Sequence, residues 1–248
     1  MAKSAIHLAN ADYSAAVDRV EELARLQMQA AKRKSMLVFG PEGVGKTRLL
    51  QAFARTQPFA LYVPHLHDPK ELMQSLVAGL RALKMREIKL PDHAEALSTS
   101  SLKGIVRRAL AEFPFVLVLD HLAGPSRVVT GMIKELSDYD QRPIIFAART
   151  PHMEDIGALQ PMCADRSERL ELKNLSSAIA WEFAKREAVC LGLQATNLEA
   201  TLDSIVEWSA GNPGGILRML KMAGLPGYRV DNQIKSHVLY LDFLMGKQ

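Results

Sequence analysis

The sequence predicts an α/β fold in which helices flank a parallel sheet and a smaller, purely helical region follows. Two observations predict it. Up to about residue 175, short apolar runs alternate with stretches whose apolar residues recur every three or four positions. From Ser176 to the end, only the three-and-four spacing continues. We therefore expect a helical segment at 1–34, a sheet-containing core at 35–175 and a small all-helical lid at 176–248.

Apolar runs in the core predict its strands. Most of them are bounded by proline, glycine or charged residues, which punctuate secondary structure. Because helical stretches separate the runs, we expect the strands to pair in parallel. The runs are Met36–Phe39, Phe59–Val63, Phe115–Asp120, Ile144–Thr150 and, as a last edge strand, the alternating Leu170, Leu172 and Leu175.

Two helical stretches predict which of their faces is buried. Apolar residues spaced three or four apart lie on one side of a helix, and that side is expected to face the core. Before the first strand, Asp12–Ala31 carries such a stripe, made of Val17, Val20, Ala24 and Met28. At the other end of the chain, a final helix is predicted through Ile234, Val238, Leu241 and Leu244.

The segment Gly40–Thr47, GPEGVGKT, has the pattern of a phosphate-binding loop, or P-loop. It follows an apolar run and leads into a helical stretch, as the motif requires. Its glycines adopt backbone conformations in which successive N–H groups can curl around an anion. The alternative is a glycine turn with a solvated lysine. We expect phosphate binding by Gly40, Pro41, Glu42, Gly43, Val44, Gly45, Lys46, Thr47 and the following Arg48.

Three side chains are predicted to bind ATP and Mg²⁺. Lys46 is expected to reach the β- and γ-phosphates, and the Thr47 hydroxyl is expected on Mg²⁺, a hard cation that prefers oxygen. Asp120 ends an apolar strand at the Walker B position, where a carboxylate orients Mg²⁺, usually through water. The alternative for Asp120 is a helix N-cap after an ordinary buried strand.

Two further residues follow strands of the same sheet. His121 stands where many hydrolytic P-loop ATPases carry a glutamate that polarises the attacking water, and an imidazole is not assumed to be an equivalent base. Arg149 ends the fourth apolar run. Because open α/β sheets gather ligands at the carboxyl ends of their strands, we expect Arg149 to sense the γ-phosphate. The alternative is a rim arginine paired with an acid.

Composition limits the class of protein. The net charge of +4 and a pI of about 9.1 give a mild indication of a polyanionic partner. No apolar stretch approaches the length of a membrane span, and the N-terminus, MAKSAIHLAN, lacks the apolar segment of a secretory signal. Cys163 and Cys190 have no metal-ligand spacing and are interpreted as reduced, and neither His65 nor His67 has the further ligand that a metal site needs. We expect a cytoplasmic protein without a membrane span.

The order of its motifs along the chain makes the sequence resemble the AAA+ and STAND ATPases, in particular the branch of origin-recognition proteins and the TnsC and ExeA ATPases. The matching segments are GPEGVGKT, FVLVLD, IIFAART and, in the lid, EWSAGNPGGILRML. The resemblance implies a five-stranded parallel sheet with a small helical lid, ATP bound between them, and a nucleotide contact at Pro213. It also implies a homo-oligomer in which an arginine of one subunit, Arg166 or Arg169, completes the site of the next. The lid lacks an arginine at the glycine-rich turn itself, with Arg218 about one turn later.

The leading functional hypothesis is an ATP-dependent assembly switch with slow hydrolysis that oligomerises on double-stranded DNA, as a regulator of transposition or replication type. Slow hydrolysis follows from His121 and from the absence of an arginine at the lid's glycine-rich turn. One alternative is an ATP-dependent scaffold that binds a protein partner without DNA, and another is a small-molecule kinase. The candidate DNA contacts, which could instead be ordinary solvated surface, are Lys32–Lys34, Lys84–Lys89, Lys103, Arg107 and Arg108.

Overall fold

The computed structural model describes residues 19–66, 68–83, 90–91, 93, 96–138 and 141–246. The described chain divides into two compact units. The first contains the residues up to Gly40 together with Lys46–Glu171, and the second contains Pro41–Gly45 together with the residues from Leu172 onward. The domain bounds at 1–34, 35–175 and 176–248 stay a prediction.

The first unit is built on a five-stranded sheet whose strand order is β2-β3-β4-β1-β5. All pairings are parallel, and the apolar side chains of β3 and β4 are almost entirely buried. Burial of a parallel sheet on both faces explains why its strands read as continuous apolar runs. The predicted five-stranded parallel sheet is confirmed. Its strands are β1 (Met36–Phe39), β2 (Ala60–Val63), β3 (Val116–Leu122), β4 (Ile144–Ala148) and β5 (Arg169–Glu171).

Helices connect these strands and cover the sheet. Asp68 starts α3 by accepting the backbone N–H groups of Lys70 and Glu71, with proline at the first helical position. Ser98 caps α4 in the same way. The helices are α1 (Val20–Ala31), α2 (Lys46–Thr56), α3 (Pro69–Ala82), α4 (Thr99–Glu112), α5 (Arg127–Asp138) and the short α6 (Met153–Ile156), followed by 3-10 turns at Gly157–Cys163 and Arg166–Glu168.

The buried face of α1 is not the predicted one. Val20 is 63% exposed and Met28 is 49% exposed, whereas Leu26 and Ala30 are buried where α1 packs beside α2. Ala24 is also exposed, and Val17 lies outside the described residues. Leu26 and Ala30 are themselves four residues apart, so α1 carries two apolar stripes and periodicity alone does not decide between them. The second stripe faces the core.

The second unit packs its helices around a core of its own. Phe183, Ile205, Met219, Leu220 and Leu239 are buried in it. Its elements are α7 (Ser177–Cys190), α8 (Leu198–Trp208), α9 (Pro213–Ala223), a 3-10 turn at Pro226–Tyr228, strands β6 (Arg229–Val230) and β7 (Gln233–Ile234), and α10 (Ser236–Leu244). None of the helices in the described part of the chain is long and apolar enough to span a membrane.

The end of the second unit departs from the prediction of helices only. Strands β6 and β7 pair antiparallel through Asp231 and Asn232, which have φ angles of +46° and +60°. Such a two-residue turn with left-handed φ angles joins hairpin strands, and Asp and Asn tolerate it better than most residues. Ile234 therefore lies in a strand and not in the final helix.

Helix α10 also presents a different face from the predicted one. It buries Leu239, while Val238, Leu241 and Leu244 are 42%, 57% and 62% exposed. The expected inward stripe Val238–Leu241–Leu244 is therefore wrong. Because the hairpin ends at Ile234, α10 begins only at Ser236. Its core contacts with α8 and α9 are on the side opposite to the predicted one.

Candidate functional site

The loop Gly40–Gly45 joins strand β1 to helix α2. The φ angles of Gly40, Gly43 and Gly45 are +152°, +76° and +103°, a region that residues with a Cβ rarely enter. The Gly40 N–H donates to the carbonyl of Arg149 at 3.2 Å, which ties the loop's first residue to the end of β4. Pro41 and Glu42 are exposed, Val44 is buried, and Arg48 is exposed on α2. The local backbone thus has the curled form that a phosphate-binding loop requires.

Lys46 is the first residue of α2, and its side chain folds back along the loop that precedes it. Its Nζ donates to the carbonyl oxygen of Gly40 at 2.6 Å. The ammonium group is therefore held at the start of a helix, where the helix dipole also favours an anion.

Thr47, Asp120 and His121 meet at the carboxyl end of β3. The Thr47 Oγ1 lies 3.2 Å from the His121 Nε2, and that nitrogen lies 3.8 Å from the Asp120 Oδ2. Asp120 is only 1% exposed, whereas 56% of the His121 side chain is exposed. The structure thus brings the two predicted metal-binding side chains and the residue at the glutamate position into one cluster.

A β-bulge places His121 in this cluster. Leu119 pairs with Phe146 and Leu122 pairs with Ala148, so β3 has one residue more than β4 between these pairs. His121 takes up the extra length with a φ of +52°. In a regular strand, neighbouring side chains point to opposite faces, and the bulge interrupts that alternation.

Tyr62 of β2 holds Asp120 from the neighbouring strand. Its hydroxyl donates to the Asp120 Oδ2 at 2.8 Å, while the His121 N–H donates to Oδ1 at 2.9 Å. Burial first, then the negative charge of Asp120 and this hydrogen bond, raise the pKa of Tyr62 well above its ordinary value. Tyr62 therefore stays a neutral donor. Tyr62 was not predicted from the sequence, because neither segment indicates that β2 pairs with β3.

His65 packs on His121. Their ring centroids are 5.3 Å apart and the rings are 29° from parallel. His67, considered with His65 as a metal candidate, lies outside the described residues. Within the described ranges, no group of three His, Cys, Asp or Glu side chains could hold a metal ion. Any ion at Asp120 therefore needs other donors, such as Thr47 or a phosphate.

Arg149 follows β4 and is exposed. Strands β1, β4 and β3 are adjacent and parallel, so Gly40, Arg149 and Asp120 lie at the same edge of the sheet. This is the edge at which doubly wound sheets bind ligands.

The two candidate trans-acting arginines differ in their surroundings. Arg169 is half-buried, and its Nε donates to the carbonyl of Cys163 at 2.7 Å. Arg166 is exposed on a turn whose carbonyls are held by α1: Arg25 donates to Ser167 and Arg169 at 3.2 and 2.8 Å. Gln29 also donates to the Ser167 carbonyl, at 2.9 Å.

The tip of the loop, Pro41–Gly45, packs against the start of α9 inside the second unit. Asn212 caps α9 through the Gly215 N–H and donates to the Glu42 carbonyl at 2.9 Å. The Gly214 N–H donates to the Gly43 carbonyl at 2.9 Å. A Cβ on Gly214 would lie 2.6 Å from the Gly43 Cα, so the two backbones touch.

Two lid residues named from the sequence have different surroundings. Pro213 is the first residue of α9, directly after this cap. Arg218 instead lies over the ring of Phe243, with its guanidinium carbon 5.2 Å from the ring centroid. Asn212 lies in the lid segment EWSAGNPGGILRML, and its contact with the loop was not predicted. The signal was an N-cap residue beside a glycine pair.

The side chains present fit a nucleotide with Mg²⁺. The curled loop offers N–H groups, Lys46 offers a positive charge, and Thr47 and Asp120 offer the oxygen donors that Mg²⁺ prefers. A P-loop after an inner strand of a parallel sheet, with an acid at the end of a nearby strand, defines the class of P-loop nucleotide-binding folds.

Comparison with known proteins narrows this class. No protein-family model matches the sequence. The chain is 30% identical over 193 residues to the large subunit of replication factor C from Sulfolobus acidocaldarius, and 27% identical over 192 residues to that from Sulfurisphaera tokodaii. Each match covers 76% of this chain but 38% of the relative, so the chain spans well under half of either relative's length.

Solved structures share the fold. The ORC1 protein of Aeropyrum pernix, solved in complex with DNA, matches with a TM-score of 0.68 at 14% identity, covering 92% of this chain and 65% of that one. Cdc6p of Pyrobaculum aerophilum matches with 0.61 at 12% identity over 83% and 61%. AMPPCP-bound DnaA of Aquifex aeolicus matches with 0.55 at 16% identity over 85% and 62%. The chain shares its fold with these proteins, in agreement with the resemblance to AAA+ P-loop ATPases seen in the sequence.

Proposed function

We propose that this protein is a slow AAA+ ATPase that acts as a nucleotide-controlled assembly switch on DNA, as a regulator of replication or transposition type. The observation that carries the proposal is the cluster of Thr47, Asp120 and His121 beside a loop that ends in Lys46. The cluster has the parts that bind a metal-nucleotide complex, but a histidine in place of the expected acid.

Nucleotide binding is assigned to the loop N–H groups and Lys46, with Thr47 and Asp120 on the metal side. When bound, Mg²⁺ neutralises phosphate charge and orients the γ-phosphate. Removal of the Lys46 ammonium should therefore abolish binding at nucleotide concentrations that saturate the wild type. Titration of Lys46→Ala with a fluorescent ATP analogue tests this, and binding equal to that of the wild type would overturn the proposal.

Slow turnover is inferred from His121. Its Nε2 already contacts Thr47, and an imidazole is not equivalent to a carboxylate in polarising water. Restoring the acid with His121→Glu should raise turnover by about 10-fold or more. A phosphate-release assay measures this. Unchanged turnover in the variant, or rapid hydrolysis by the wild type alone, would contradict slow hydrolysis as a property of this site.

An arginine supplied by a neighbouring subunit is part of the proposal, and the surroundings favour Arg166. Arg169 bonds inward to Cys163, whereas Arg166 is exposed on a turn held by Arg25 and Gln29. A planar guanidinium presented this way can stabilise charge on phosphoryl oxygens of another subunit.

The relatives support DNA binding, but the structure argues against two of the candidate contacts. One solved neighbour carries DNA in its structure, and the curated relatives are replication factor C subunits. In this chain, however, Lys103 and Arg107 both form ion pairs with Glu135. Lys84–Lys89 lie outside the described residues, while Lys32–Lys34 and Arg108 are exposed.

Because Glu135 pairs with Lys103 and Arg107, a second candidate function is an ATP-dependent scaffold that binds a protein partner and not DNA. Electron microscopy of the protein with an ATP analogue, with and without double-stranded DNA, separates the two. Rings or filaments that form only on DNA, and dissolve as salt rises, support the proposal. Assembly that ignores DNA supports the scaffold.

A further inference from the structure

We propose that His121 is a ligand of the divalent ion in this site, so that the ion is held by an imidazole nitrogen as well as by oxygen. The inference rests on the proposed function, since it concerns the ion that accompanies the nucleotide. Its consequence is metal selectivity: the site should favour transition ions such as Mn²⁺, Co²⁺ and Ni²⁺ over Mg²⁺ more strongly than an oxygen-only P-loop site does.

The first support is distance. In an octahedral site with bonds of about 2.1 Å, adjacent ligand atoms lie about 3 Å apart. The Thr47 Oγ1 and the His121 Nε2 are separated by 3.2 Å, which is close to that spacing. The Asp120 Oδ2 lies 3.8 Å from the same nitrogen, so the carboxylate borders the same space.

The second support is that the backbone and a neighbour orient the ring. The bulge fixes His121 at a φ of +52°, and its N–H donates to the Asp120 carboxylate at 2.9 Å. His65 stacks on one ring face at 5.3 Å. The ring edge that carries Nε2 is thereby directed toward Thr47 and Asp120, while more than half of the side chain stays open to solvent. A ligand that is oriented in advance binds at a lower entropic cost.

The third support is the chemistry of the donors. Carboxylate, hydroxyl and water oxygens suit Mg²⁺, whereas imidazole nitrogen suits later divalent ions, whose affinity for a given site rises from Mn²⁺ to Ni²⁺. No three His, Cys, Asp or Glu side chains of the described ranges form a metal site. The ion must therefore arrive with other donors, and nucleotide phosphates supply them.

Pulsed electron paramagnetic resonance of Mn²⁺ tests the ligand directly. The wild-type protein, with every histidine labelled with ¹⁵N, is loaded with Mn²⁺ and the β,γ-methylene analogue of ATP. Directly bound phosphate gives a ³¹P coupling, and directly bound imidazole gives a ¹⁵N coupling. We expect both in the wild type. This measurement needs no substitution, so it does not depend on the folding of a variant.

His121→Asn identifies the residue. Asparagine tolerates a left-handed φ, so the bulge is retained. This variant should keep the ³¹P coupling and lose the ¹⁵N coupling, and His65→Asn should keep both. In parallel, the ratio of the analogue's affinity with Mn²⁺ or Co²⁺ to that with Mg²⁺ should fall by about 10-fold in His121→Asn, the size expected when a metal site loses a supporting group.

The outcomes separate this inference from the function on which it rests. A ³¹P coupling without a ¹⁵N coupling in the wild type overturns the histidine ligand and leaves nucleotide binding intact. A ¹⁵N coupling that survives in His121→Asn also overturns it. If the wild type shows no protein-bound Mn²⁺ with ³¹P coupling, or if Lys46→Ala gives the same spectrum, the proposed function fails as well.

Discussion

Asp120 is a buried carboxylate whose two oxygens are each held by a different donor. Its exposed fraction is 1%, and a buried charge is costly unless hydrogen bonds compensate it. Tyr62 and the backbone of His121 provide that compensation, one at each oxygen. The carboxylate is thus oriented before any ion binds. At the residue scale, Tyr62 is therefore a positioning residue for the predicted metal side of the site.

Tyr62→Phe should disturb both stability and metal binding. Loss of a hydrogen bond to a charged group costs about 1.5–3 kcal/mol, and it frees Oδ2 of Asp120 to turn. Chemical denaturation measures the stability, and titration with Mn²⁺ and an ATP analogue measures the metal-nucleotide affinity, which should fall about 10-fold. The wild-type preference among metals should stay, since His121 is unchanged.

Tyr228→Phe is the matched control for this prediction. The Tyr228 hydroxyl donates to the Asp242 carboxylate at 2.9 Å, within the second unit. This substitution should lower stability and leave metal-nucleotide affinity as it is. If the two variants affect affinity alike, Tyr62 has no special role in placing Asp120.

A second residue-scale prediction concerns pH. Hydrogen bonding to Lys103, together with the charges of Lys103 and Arg107, lowers the pKa of Glu135 below its ordinary value of 4.5. A carboxyl group with a lowered pKa contributes stability above its unfolded pKa, and that contribution is lost as pH falls through the folded pKa. Glu135→Gln should therefore be less stable than the wild type at about pH 7, by at most about 1 kcal/mol because the pairs are partly exposed.

Urea denaturation at several pH values measures this difference. The stabilities of the two proteins should converge as pH falls from 4.5 through the lowered pKa of Glu135 in the folded protein. A difference that does not narrow as pH falls would show that the ion pairs are not its origin. The same variant frees Lys103 and Arg107, so tighter DNA binding by Glu135→Gln would indicate that this face contacts DNA.

At the scale of elements, the cap of α9 has two functions. Asn212 accepts the Gly215 N–H to start the helix, and its amide donates to the Glu42 carbonyl and to Asn174, at 2.9 and 3.2 Å. One residue therefore stabilises a helix end and holds the tip of the phosphate-binding loop. These two contributions can be separated, because the cap uses the side-chain oxygen and the loop contact uses the nitrogen.

Asn212→Asp should keep the cap and lose the loop contact, and Asn212→Ala should lose both. We expect the aspartate variant to be nearly as stable as the wild type but to bind nucleotide about 5-fold to 10-fold more weakly, because a bond that orders the loop is lost. The alanine variant should in addition lose about 1 kcal/mol of stability. Calorimetry and nucleotide titration measure these effects. Equal affinities in the aspartate variant and the wild type would show that the loop contact is dispensable.

Elements were predicted from the sequence where their determinants are local, and missed where partners are distant in the chain. The P-loop needs only its own glycines and the adjacent strand and helix. The buried face of α1 depends on which of its two apolar stripes packs against α2. The buried face of α10 depends on the hairpin that ends at Ile234, after which the helix begins. For the same reason, the contact of Tyr62 with Asp120 was not predicted, since it joins residues 58 positions apart.

At the scale of the whole molecule, the proposal requires that one subunit complete the site of another. A site of this kind is shared between copies, so a defect in the donating residue and a defect in the receiving site can complement each other. The exposed turn around Arg166 is the candidate donor. Asp120 belongs to the receiving site, and Asp120→Asn should still assemble because the loop and Lys46 remain.

Arg166→Ala and Asp120→Asn should each lose ATP turnover by about 100-fold or more. In an equal mixture, about one interface in four pairs an intact Asp120 site with an intact Arg166, so turnover should recover to about a quarter of the wild-type value. A phosphate-release assay across mixing ratios should give a maximum near equal amounts. Arg169→Ala is the matched control, because Arg169 bonds to Cys163 within its own chain and its loss should lower thermal stability without complementation. If the mixture stays as inactive as its components, Arg166 does not act in trans, and the site is complete within one subunit.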